Sequence, residues 1–302
     1  MEDQAEKLRE FMKNQQNGTG EEAKGDGDPK ERNGSKTKII AVASGKGGVG
    51  KTNISINLAI AYARMGKKVI VLDADLGLAN VNVVLGVIPK YNLYHVIRKQ
   101  KQMKDIILDT DYGIQIVAGA SGFSRIANLT EEERKSFISE MKALSHADII
   151  IIDTSAGVGQ NVLDFVEAAD EAIIVTTPEP TAITDAYGII KIISTEIEDF
   201  DMGLKLVVNR AGSVVEAKKV SQRVINITSQ FLNIKVDYLG FVFDDPGVSL
   251  AVKKQQPFSI ADPRGKAASC VQTMVNRLEK VDPREGGGMG RFVRKLFGAN
   301  GE

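Results

Sequence analysis

The sequence predicts a doubly wound α/β domain: a mostly parallel sheet with helices on both faces. Three observations predict it. Apolar, β-branched runs recur from residue 38 onward, and most are apolar at every position rather than at alternate ones. A strand apolar on both faces is buried on both faces, the condition of a parallel sheet covered by helices. The stretches between these runs have helical patterns and the length of crossover connections. Finally, a glycine-rich loop stands between the first run and the first long helical pattern, where such a fold binds phosphate.

Taken in order, residues 1–13, MEDQAEKLREFMK, form a short charged segment. Residues 14–37 are built from Asn, Gln, Gly, Glu, Lys, Asp and their like, which cannot make a core, so they read as a flexible linker. The domain spans 38–281. Its strands are KIIAVAS, KKVIVLDAD, GIQIVAGAS, ADIIIIDTSAG, EAIIVTTPEP, LKLVVNRAG and VDYLGFVFDD, giving a sheet of seven or eight strands. NISINLAIAYARMG is the helix after the glycine loop, with Gly66 as its stop. Residues 282–302 comprise a breaker, a glycine hinge and a short amphipathic segment.

The 302 residues carry 39 basic and 39 acidic side chains, so no whole-molecule charge steers the chain to nucleic acid, and none is expected as a partner. Cys270 is the one cysteine, which excludes an intrachain disulfide, a CxxC redox pair and a cysteine cluster within one chain. That fits a reducing cytoplasm. No run reaches the length of a membrane span, so any membrane association must be peripheral.

GKGGVGKT matches the phosphate-loop pattern through Gly45, Gly50, Lys51 and Thr52. Strand and helix flank it as that role requires. Backbone N–H groups of Gly45, Lys46, Gly47, Gly48, Val49, Gly50 and the following Lys51, Thr52 and Asn53 would surround a polyphosphate at a helix N-terminus. Lys51 would contact the β- and γ-phosphates, and Thr52 would ligate Mg²⁺. Asp73, Asp75 and Asp153 follow at strand ends and are expected to face the phosphates; Asp153 would support Mg²⁺ and Asp75 would orient water near the metal. NRAGS, from Asn209, lacks the aspartate of a guanine-reading N-K-x-D element, so adenine is expected and ATP is the nucleotide. A second lysine, Lys46, is badly placed for its own phosphate. From position alone it is equally a solvent-exposed lysine or a finger reaching a second copy's nucleotide.

The motif KGGVGKTN resembles the deviant Walker A loop of the MinD/ParA family of dimerising ATPases. DADLGLANVNVVLG is similar to that family's switch I, DTSAG to its switch II, and Asn209–Arg210 to its adenine-contacting pair. The likeness runs from about Lys38 to Leu278. It implies an ATP-bound homodimer in which Lys46 completes the partner's site, with Asp75 the catalytic aspartate. Two departures stand out: Asn53 replaces a usual threonine, and FVFDDPG replaces the usual base loop, leaving Asp244, Asp245 and Pro246 as weaker nucleotide contacts. No strong general base is evident, so turnover is expected to be slow and dimer-dependent.

At the C-terminus, Met289, Phe292, Val293, Leu296 and Phe297 make one helical stripe, with Arg294 and Lys295 beside it. This is the profile of an interfacial anchor for anionic lipid. One copy would bind weakly and two in an ATP dimer by avidity; docking of the helix on its own domain is the other reading, and the two together would make a switch. At the N-terminus, Asp3, Gln4, Ala5, Leu8 and Arg9 resemble the D-Q-A-x-x-L-R signature of the flagellar branch of the family. The resemblance implies activation of the signal-recognition-type GTPase FlhF and control of flagellar number and placement, with basal-body C-ring proteins as further partners. A cell-division-site regulator and a DNA-partitioning ATPase remain as alternatives.

Overall fold

The computed structural model describes residues 37–75, 80–119, 130–197, 203–280 and 287–297. The chain divides into residues 1–35 and 36–302, and every element below belongs to the second unit. The N-terminal segment with Asp3, Gln4, Ala5, Leu8 and Arg9 lies outside the described residues, as do the linker up to residue 36 and residues 76–79 of the switch I motif.

The elements run β1 (Lys38–Ser44), α1 (Lys51–Arg64), β2 (Val69–Ala74), α2 (Val81–Leu85), α3 (Leu93–Ile97), α4 (Met103–Ile106), β3 (Ile107–Asp109) and β4 (Gln115–Val117). After these come α5 (Glu131–Met141), a 3₁₀ turn, β5 (Ile149–Ala156), α6 (Gln160–Ala168), β6 (Glu171–Thr176), α7 (Pro180–Glu196) and β7 (Gly203–Ala211). The last are α8 (Val214–Leu232), β8 (Val236–Phe243), α9 (Pro246–Lys253), α10 (Phe258–Ala261), α11 (Lys266–Leu278) and α12 (Met289–Phe297). The eight strands lie in the order β3-β4-β2-β5-β1-β6-β7-β8, and every pairing but β3–β4 is parallel.

The two-faced apolar strands do what their composition demands. Ile39, Ala41 and Ala43 of β1 and Ile150 and Ile152 of β5 pack into one helical layer. Ile40, Val42, Ile149 and Ile151 pack into the other. Each buried isoleucine contributes about 1.5–3 kcal/mol of hydrophobic stabilisation, so the centre of the sheet is held from both sides. The carboxyl ends of β1 and β5 are therefore rigid mounts for whatever follows them.

The eighth strand is β3, a three-residue antiparallel partner of β4. Three residues are too few to carry a periodic signal, and the chain reverses between β3 and β4 through a turn in which Gly113 has φ +75°. The helix after the glycine loop ends as its sequence indicates: Gly66, at φ +80°, donates its N–H to the Ala63 carbonyl at 2.9 Å.

The apolar stripe of α12 is docked on the domain itself. Met289, Phe292, Val293 and Phe297 are buried, and Leu296 packs at the edge of the same core. Phe292 stacks on Phe165 of α6 at 6.5 Å between ring centroids, and Phe297 meets Phe137 of α5 edge-on at 5.6 Å. Lys295 pairs with Glu167 at 3.0 Å while Arg294 is exposed. Asp170 receives the Gly288 N–H at 2.9 Å and the Ile39 N–H at 2.9 Å, tying the start of α12 to β1.

Candidate nucleotide site

β1 delivers the glycine loop to the carboxyl edge of the sheet, and the loop's conformation depends on its glycines. Gly48 and Gly50 have φ of +77° and +94°, the left-handed region that side chains disfavour, and Gly50 is the N-cap of α1. A Cβ on Gly50 would overlap the Asn209 amide nitrogen, and one on Gly45 the Asp185 carbonyl. Two hydrogen bonds fasten the loop: Ser44 Oγ to the Lys46 carbonyl and Asn209 Nδ2 to the Val49 carbonyl, each 2.8 Å. What remains is a helix N-terminus and its free N–H groups, the arrangement that receives phosphate.

Behind the loop stands Asp153, buried in β5. It accepts hydrogen bonds from Thr52 Oγ1 at 2.6 Å and from Ser55 Oγ at 2.9 Å. Burial raises its pKa to about 6, against the opposing pull of Thr52, Lys51 and Ser55. Lys51 is also buried, and burial lowers its pKa while Asp153 and Asp75 act in the other direction. A cation beside Thr52 would offset the charge burial disfavours on Asp153, and its two hydroxyl contacts suit a carboxylate that orders a metal's surroundings. Among the described residues no three His, Cys, Asp or Glu side chains gather to hold a metal. Mg²⁺ does not need such a cage, since it takes one or two protein oxygens and fills its shell with phosphate and water. The donor set fits it.

The remaining strand-end carboxylates divide. Asp75 lies next to the edge of the site and accepts from Asn80 Nδ2 at 3.2 Å. Asp73 is the register partner of Asp153 across the parallel strands β2 and β5, so the two carboxylates share a face of the sheet. The Asp73 oxygens accept the backbone N–H groups of Asp75 and Val81, at 3.1 and 3.2 Å, so it braces both ends of the switch I loop. Burial, reinforced by Asp153, raises its pKa to about 7.

The expected base contacts gather around a cavity of about 270 Å³ whose lining includes Asn53, Asn209, Arg210, Phe243, Asp244 and Asp245. Asn53 Oδ1 is buried without a hydrogen-bond partner. Arg210 adopts φ +54° and is exposed at the mouth. Pro246 stands outside the lining: it opens α9, where its fixed φ suits a first helical turn. Lys46 points away from the site's interior, bonding Glu179 Oε2 and Thr181 Oγ1 at 2.8 Å each.

Three participants escape a motif reading. Ser55 has a helical signal, since it follows Thr52 by three residues and shares its face of α1. Glu179 and Thr181 have none, because their role depends on α7 starting beside the loop.

The chain is similar to known proteins over most of its length. Residues 37–206 match the family model described as an AAA domain. The chain is 38% identical to the antiactivator FleN of Pseudomonas aeruginosa over 86% of its own length and 93% of that protein's. It is also 38% identical to the flagellum site-determining protein YlxH of Helicobacter pylori, covering 68% of this chain and 69% of the relative. Among solved structures, the septum site-determining protein MinD from Pyrococcus horikoshii, complexed with Mg-ADP, superposes with a TM-score of 0.65 at 27% identity. That match covers 81% of this chain and 96% of the other.

Proposed function

The chain belongs to the MinD/ParA family of P-loop ATPases, and from that premise we propose that it is a flagellar member, a nucleotide-timed switch controlling the number and placement of flagella. The observation that carries the switch is the docked α12, whose apolar stripe is buried on the domain rather than offered to lipid. Likeness to FleN and YlxH supports the flagellar assignment.

In the proposed cycle the loop glycines and Lys51 hold the ATP phosphates, and Thr52, oriented by Asp153, offers its hydroxyl oxygen to the metal. With Thr52 and Asp153 holding it, Mg²⁺ would supply positive charge to offset that of the phosphates. Asp75 orients the attacking water. Lys46 leaves Glu179 and Thr181 and crosses to the second copy's nucleotide, where its ammonium stabilises charge developing on the γ-phosphoryl group. Formation of this homodimer accompanies release of α12, so Met289, Phe292, Val293, Leu296 and Phe297 enter the interface of an anionic membrane beside Arg294 and Lys295. Two such helices hold by avidity where one does not. Hydrolysis returns the monomer to the cytoplasm. The N-terminal segment activates the GTPase FlhF, and basal-body C-ring proteins are the delivered partners.

Anionic liposomes should co-sediment the protein with ATP and much less with ADP; equal binding in both states removes the switch. A peptide of residues 1–16 should stimulate GTP hydrolysis by FlhF, with stimulation lost when Gln4 and Leu8 become alanine. Failure of that assay leaves the membrane switch standing and removes the GTPase partnership.

A further inference from the structure

A second cavity, of about 380 Å³, lies along β8 at the edge of the sheet, between the start of α8 and the exposed side of α11. Four cationic side chains line it, Lys218, Arg264, Lys266 and Arg277, and among the described residues no carboxylate does. Its aromatic wall is built by Phe241 and Phe243, edge-to-face at 4.8 Å, with the Lys266 ammonium 5.8 Å from the Phe243 ring centre. Cationic groups over aromatic faces, in a space of this size, suit a compact organic anion with a flat ring.

An added β-strand suits the place poorly. The β7–β8 register shifts twice, so the edge is irregular, and Arg277 Nη1 already occupies the Leu239 carbonyl at 2.7 Å. Phe243 also has a second duty, because it lines the nucleotide-base cavity as well. One residue therefore lines both cavities.

We infer that this cavity is an effector site for an aromatic anion of about mononucleotide size, coupled to the nucleotide site through Phe243. The anionic group meets Lys218, Arg264 and Lys266 at the rim, while the ring packs on Phe241 and Phe243. A ligand that shifts Phe243 changes the base cavity, and coupling of this kind is reciprocal: each ligand alters the other's affinity by the same factor. The inference does not depend on the flagellar assignment.

The test uses the full chain saturated with Mg-ADP, so that the phosphate loop is filled, and titrated by calorimetry with 1-naphthyl phosphate. Separate arms use 1-naphthalenemethanol, which keeps the ring without charge, and inorganic phosphate, which keeps the charge without the ring. Naphthyl phosphate should bind more tightly than either. Cys270, the chain's single cysteine, lines the cavity, so its alkylation by iodoacetamide should slow on binding. The double variant Lys218→Glu, Arg264→Glu should weaken binding by roughly tenfold or more, with its fold checked by a circular-dichroism melt. No binding at millimolar ligand, phosphate alone binding as tightly, or an unchanged affinity in the double variant overturns the site. For the coupling, saturating naphthyl phosphate should shift ADP affinity by about fivefold or more; an unshifted affinity overturns it.

Discussion

Two buried aspartates flank β1 from opposite ends of the sheet, and they are held by different kinds of donor. Asp153, at the carboxyl end, accepts two side-chain hydroxyls, from Thr52 and Ser55. Asp170, at the amino end, accepts two backbone N–H groups, from Ile39 and Gly288. A hydroxyl rotates and can turn its oxygen to a cation, whereas a backbone N–H in regular structure has one direction. The first arrangement is therefore open to exchange of partners and the second is a fixed latch. Burial alone does not make two carboxylates equivalent; the mobility of their donors separates chemistry from architecture.

The largest effect expected from testing this contrast lies beyond Asp153, at Asp75. Asp75→Ala should lower ATP turnover on the order of 10²–10³-fold and let the ATP-bound dimer accumulate in size-exclusion chromatography. Unchanged turnover would remove Asp75 from the chemistry.

Asp153→Asn should weaken Mg²⁺ binding by about tenfold or more while making the nucleotide-free protein more stable. The sign follows from its raised pKa. A carboxyl at about 6 when folded and 3.8 otherwise loses stability as pH rises from about 4 to about 6, leaving a charged, disfavoured group at neutral pH. In EDTA at pH 7 the variant should melt roughly 2–4 °C higher, and a lower melting temperature would contradict the exchangeable role.

Asp170→Asn should do the reverse. It loosens the latch on Gly288 at a cost of about 1 kcal/mol, so liposome co-sedimentation in ADP should rise about fivefold with ATP turnover per dimer unchanged. Unaltered sedimentation would mean that the aromatic contacts of Phe292 and Phe297 alone hold α12. The smallest change is expected from Ser55→Ala, which removes one of the two hydroxyls on Asp153 and should raise the Mg²⁺ concentration for half-maximal turnover by about fivefold or less.

How much of this was legible in the sequence depended on whether a feature was local. The isoleucine run of β5 and the alternating fates of Ile39 and Ile40 follow from strand geometry, and the glycine loop announced its position through backbone demands confined to eight residues. Thr52 and Asp153 were legible separately, and their 2.6 Å contact needed only parallel neighbours β1 and β5. The bracing role of Asp73 was not legible, because a strand-end carboxylate looks the same whether or not it also holds a loop. Lys46 resting on Glu179 and Thr181, and Asp170 reaching Gly288, join positions more than a hundred residues apart and leave no periodic trace.

The two sheet edges also bear on crowding. One edge is β3, three residues long, and the other is β8, kinked by two register shifts and with its Leu239 carbonyl covered by Arg277. Long, flat edges invite endless strand-to-strand stacking when molecules are packed closely. Blunted on both sides, this sheet offers such stacking no long flat edge among its described strands.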